Sequence, residues 1–133
     1  MIRLAGILTC LALAGCGTAP AGNAQAVDAG AEVTLAPGAT ASVNAAKMQV
    51  LFVSVIEDSR CPRDVTCIWA GEVKLLLEIQ SAQASLPIEI LERGDAIAAG
   101  FRVTLVRVEP QPTSTAKIAP QDYRATLKID KLN

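Results

Sequence analysis

Alternation of apolar and polar residues with a period of two runs through most of the chain beyond residue 31. It predicts an all-β fold: an antiparallel β-sandwich of about seven strands, with a small barrel as the alternative architecture. A second observation agrees. No segment holds ten residues of helical periodicity with recognisable caps. Proline and glycine punctuate the alternating runs, as turns between short strands require.

The strands follow in order. "EVTL" (32–35) and "ATASV" (39–43) flank the turn signal Pro37-Gly38. "KMQVLFVSVIE" (47–57) is apolar on both faces, which suits a central strand covered on both sides. "EVKLLLEI" (72–79) points Val73, Leu75, Leu77 and Ile79 one way. "SLPIEIL" (85–91) directs Leu86, Ile88 and Ile90 inward, and Pro87 marks it as an edge. "FRVTLVRV" (101–108) starts with Phe101, Val103 and Leu105 inward and then changes phase at Val106 and Val108, as a bulge would cause. "YRATLKI" (123–129) sets Tyr123, Ala125, Leu127 and Ile129 on one face.

Ahead of this domain the chain has another character. Arg3 precedes an apolar run from Leu4 to Leu13, too short for a membrane-spanning helix and suited to a secretory signal. Leu13-Ala14-Gly15-Cys16 follows at once and resembles the lipobox of bacterial lipoproteins. The resemblance implies a signal at residues 1–15, cleaved before Cys16, with the Cys16 thiol carrying a diacylglyceryl group and its new amine acylated. Two or three acyl chains anchor stably where one does not. Gly17 stands where the family's inner-membrane retention signal places Asp. In a cell with two membranes the resemblance therefore implies the outer membrane, facing the periplasm. Residues 16–31 read as the lipidated cysteine and a small-residue tether that reaches roughly 20 Å. The β domain occupies residues 32–133.

On that resemblance Cys10 leaves with the signal and Cys16 takes the lipid. Cys61 and Cys67 then remain in an oxidising compartment, where they are expected to pair. Two free thiols or half a metal site is the competing reading, but the mature chain has no further Cys and no His to complete a metal site. Neither a metal nor a cofactor is expected.

Cys67, Trp69, Gly71 and Val73 share one parity with Ile79. If the strand runs unbroken from Cys67, Trp69 lies in the core, with Gly71 leaving room for its ring to lie flat. Trp69→Ala is then expected to cost about 3–5 kcal/mol. The ring closed by Cys61–Cys67 is worth roughly 2–2.5 kcal/mol in the chain-entropy view. The stretch "EDSRCPRDVTCIWAGE" (57–72), with the later "APQDYRATLKI", resembles a motif of small secreted or lipid-anchored bacterial proteins without assigned activity. That resemblance implies a shared β fold and brings no catalytic residue.

The formal net charge is −1, with both signs interspersed, which gives no basic stripe for nucleic acid. Without histidine a Ser-His-Asp arrangement is excluded, and the serines stand in no distinctive motif with a lysine. Asp58 and Ser59 read as loop-bracing residues, with Asp58, Glu57 or Glu72 as partner for Arg60. The reading is therefore a non-enzymatic envelope module: anchored in the membrane through its N-terminal lipid, and binding a protein or cell-wall partner. Recognition would come from loop tips, either the stapled 58–66 segment with Arg60, Pro62, Arg63 and Asp64, or the proline-rich 110–121 segment. The alternative is a protease inhibitor that offers Arg63 from the disulfide-closed 61–67 loop to a trypsin-like pocket.

Overall fold

The computed structural model describes residues 24–44 and 46–133. The expected signal segment, the lipidation site Cys16 and the first part of the tether lie outside those residues. Among the described residues the strands are β1 (Ala24–Val27), β2 (Glu32–Leu35), β3 (Thr40–Val43), β4 (Met48–Asp58), β5 (Val73–Ser81), β6 (Ser85–Leu91), β7 (Asp95–Ala98), β8 (Phe101–Glu109) and β9 (Arg124–Lys131). They form a five-stranded sheet in the order β1-β3-β4-β5-β6 and a four-stranded sheet in the order β2-β9-β8-β7. Neither sheet closes on itself, so the fold is a sandwich and not a barrel.

Alternation builds the interior. Leu75, Leu77 and Ile79 of β5 and Phe52 of β4 meet Leu35, Val103, Leu105, Leu127 and Ile129 from the other sheet, and all of them are buried. The phase change in β8 is a register shift between Leu105 and Arg107, after which Val108 becomes the inward residue. Strand β6 is an edge, as Pro87 indicates. Leu86, however, is exposed at that edge, and only Ile90 of the three apolar residues is fully inward.

Strand β4 occupies the centre of its sheet but is not covered on both faces. Register shifts between Phe52 and Ser54 and between Val55 and Glu57 each insert a residue. The inward sequence is thus Phe52, opposite Leu77, then Val55, opposite Leu75, then Asp58, opposite Val73. Val53 and Ile56 are turned out to the open face. The apolar content on both sides of this strand records its bulges, not a second covering layer.

Two strands exceed the expected seven. β7 is four residues long with Ile97 exposed, so it carries too little alternation to be read. β1 lies inside the stretch expected to be tether, and it pairs parallel with β3 in the register Ala24↔Thr40 to Val27↔Val43. Burial of Val27 holds it there, and the Asn44 amide donates to the Val27 carbonyl at 2.8 Å. The ordered domain therefore begins by residue 24, not residue 32.

Register also fixes which loops share an end. β4 runs toward the 59–72 segment, β8 ends at Glu109 opposite Arg124, and β2 ends at Leu35 opposite Ala125. The 36–39 turn, the 59–72 segment and the 110–123 segment therefore gather at one end of the sandwich.

Candidate functional site: a stapled hairpin tip over a buried ion pair

At this end the β4–β5 hairpin projects beyond the sheets. Its ladder continues past Asp58: the Ser59 amide donates to the Glu72 carbonyl at 2.8 Å, and the Cys61 amide to the Ala70 carbonyl at 2.8 Å. The Ser59 hydroxyl closes the base by donating to the Glu72 carbonyl and accepting from the Glu72 amide. The expected Cys61–Cys67 disulfide is formed, with Cα atoms 5.8 Å apart. Between the sulfurs, Pro62 to Val65 makes a turn in which the Val65 amide donates to the Pro62 carbonyl at 3.2 Å.

Trp69 is not in the core. It is 82% exposed, Ile68 is 93% exposed and Val65 47%. Strand β5 begins at Val73, so the strand that carries Leu75 to Ile79 does not extend to the ring. Past Val73 the two chains keep their register, Ser59 on Glu72 and Cys61 on Ala70, but the hairpin has left the sheets and the ring meets no core. Gly71 lies on that stretch. Its φ is +66°, and a Cβ there would overlap the Ser59 carbonyl. The glycine is needed for left-handed backbone and close approach to the neighbouring chain, not for space beside an indole. A glycine inside a strand-like pattern was the available signal.

The candidate recognition residues divide. Arg60 points inward and is buried, with its guanidinium engaged inside the fold. Its Nε and Nη2 donate to the two oxygens of Asp58, at 2.8 and 2.6 Å, while Nη1 donates to the Val108 carbonyl and Nη2 also to the Pro110 carbonyl. The Tyr123 hydroxyl donates to Asp58 at 3.0 Å. This cluster ties β4, the end of β8 and the start of β9 together. Burial works against ionisation of Asp58, yet the hydrogen bonds and charge of Arg60 and the Tyr123 hydroxyl hold its carboxyl below the ordinary range. Burial, then the bond to Asp58, pushes the Tyr123 phenol up to about 12.

Pro62 is half-buried, whereas Arg63 and Asp64 are exposed. The Arg63 amide donates to the Pro112 carbonyl at 3.0 Å, and Asp64 accepts from the Ser114 amide and hydroxyl. Those bonds with Ser114 lower the Asp64 carboxyl. The proline-rich 110–121 segment thus braces the stapled ring from behind. Val65, Ile68 and Trp69, whose exposure the alternation pattern concealed, stand on the same stapled segment.

Between the outer part of β4 and this brace lies a cleft of ≈ 750 Å³, walled by Val55, Ile118 and Pro120 and floored by Asp58, Arg60 and Tyr123. The polar atoms of that floor are spent on one another. Among the described residues no buried side-chain nitrogen or oxygen lacks a hydrogen-bond partner. Ser54, Glu57, Thr113 and Lys117 also line the cleft, so its surface is mixed polar and apolar. No helix among the described residues is long and apolar enough to cross a membrane. No protein-family model, curated protein or solved structure matches the chain.

Proposed function

We propose that the chain is a lipid-anchored, non-enzymatic recognition module of the bacterial cell envelope, and that its contact element is the stapled tip of the β4–β5 hairpin. One observation carries this reading: Ile68 and Trp69 stand almost fully in water on a segment held by a disulfide and a hydrogen-bonded brace. A tryptophan side chain buries about 150–250 Å² when covered, worth roughly 4–6 kcal/mol at 25 cal/mol per Å². Here that contribution is withheld from folding and is available to association. A tip already ordered before contact loses little further entropy on binding, and aromatic residues in such positions dominate interface energetics.

A photo-crosslinking residue placed at position 68 of the full-length protein in its native envelope tests the reading. We expect an adduct from position 68 and none from a control at Ala99, which lies at the far end of the sandwich. Equal labelling from both positions, or none from position 68, removes the proposal.

The protease-inhibitor alternative has Arg63 exposed in its favour. Against it, Arg63 sits inside a tight turn with its amide already bonded to Pro112, whereas extended segments pair through their backbone groups. Inhibition of trypsin by micromolar protein, abolished by Arg63→Ala, would favour the alternative; no inhibition removes it.

A further inference from the structure

We infer that the partner of the tip is a lipid surface: Val65, Ile68 and Trp69 insert into the headgroup–acyl boundary of the membrane that holds Cys16. This rests on the recognition reading above and names its partner.

The chemistry of the tip comes first. From Val65 to Gly71 the sequence "VTCIWAG" holds no charged residue, while Arg63, Asp64 and Glu72 form a mixed-charge collar behind it. A convex apolar tip with a charged collar suits a depth of about 5–10 Å, with the tryptophan at headgroup level and the collar in water.

Chain direction is the independent observation. β1 is parallel to β3, and β3 is antiparallel to β4. Since β4 runs toward the tip, β1 runs away from it, and Ala24 is the tipward end of β1. Because β1 is ordered, the tether is shorter than residues 16–31. Ala24 stands only eight residues after Cys16, a span of at most about 26–29 Å. A domain leashed so closely, from that side, keeps its tip near the bilayer. Short flexible links give effective concentrations in the millimolar range. A tip with only millimolar intrinsic affinity for lipid would then be occupied much of the time. The acyl chains hold the protein, and the tip sets which end faces the membrane.

Trp69 is the only tryptophan, so intrinsic fluorescence reports the tip alone. The test uses the full-length lipidated protein in phosphatidylcholine vesicles, with bromine carried shallow or deep on the acyl chains. We expect emission shifted to the blue and quenched most by the shallow bromines, with both effects reduced in Ile68→Ser. Emission that stays at the water-exposed wavelength and open to iodide, with Cys16 shown by mass spectrometry to be lipidated, overturns the proposal. A shift that appears only on adding envelope proteins, or a position-68 adduct with protein alone, also overturns it and leaves the recognition reading standing. No position-68 adduct of either kind overturns both. An unlipidated Cys16 removes the leash and overturns the lipid assignment by itself.

Discussion

Arg60 and Asp58 form an ion pair whose side chains are 6% and 10% exposed, and Tyr123 caps it. Removing one member of such a pair leaves the other charge buried alone, so Arg60→Ala is expected to destabilise by about 3–5 kcal/mol. Chemical denaturation of the variant against the parent measures it. The titrations follow in sign. Asp58 has a folded value below its unfolded one, so its contribution is present above about pH 4 and is lost as pH falls through the folded value. Melting temperature should therefore fall on acidification, and less steeply in Asp58→Asn. Tyr123 is shifted the opposite way. Its contribution is complete below about pH 10 and is lost as pH rises toward about 12. As Tyr123 is the only tyrosine, phenolate absorbance reads it directly, and Asp58→Asn should lower the midpoint. Trp69→Ala, by contrast, should leave stability within about 0.5 kcal/mol, since the ring covers no core. Denaturant midpoints that move by several kcal/mol would return the indole to a structural role.

At the scale of the element, the hairpin tip joins three constraints from different parts of the sequence. The disulfide closes the ring, Gly71 lets the two chains approach at Ser59, and the 110–114 segment buttresses the turn through Pro112 and Ser114. Gly71→Ala combines a left-handed backbone penalty with overlap at the Ser59 carbonyl, and should cost at least about 2 kcal/mol. Replacing both Cys61 and Cys67 by alanine should cost roughly 2–2.5 kcal/mol and leave the sandwich intact. In that variant the Trp69 anisotropy should drop while far-ultraviolet circular dichroism stays unchanged. A concerted loss of both signals would mean that the tip and the sandwich fold as one unit. The bulges of β4 belong to the same design. Two inserted residues let the strand leave the sheet with Asp58 still facing inward beneath the tip.

Across the whole molecule the sandwich separates its tasks by end. One end gathers the 36–39 turn, the tip, its proline-rich brace and the buried ion pair; the other carries the turn at Asp28–Gly30 and the tight connections around residues 81–85 and 98–101. Much of this was legible in advance. The strands β5, β8 and β9 alternate cleanly, because one face of each meets a core and the other meets water. The shift in β8 announced itself as a break of phase. What was not legible had little or no pattern to show: β1 and β7 are four residues long, and β1 pairs parallel with β3, past the intervening β2. The pairing of Arg60 with Asp58 could be named as one of three options. Its burial could not, because the Val108 and Pro110 carbonyls that receive the guanidinium arrive from the end of β8 and the residue after it, 48 and 50 residues away.

The sequence by itself determined the all-β architecture, since alternation is a local property, and it pointed to the ring between Cys61 and Cys67 once the lipobox resemblance had accounted for the other two cysteines. Only the tertiary structure decided where Trp69 points. The hairpin carries the ring past the end of the sheets, where no core stands to receive it, and how far a strand outruns its sandwich depends on what the chain meets in space.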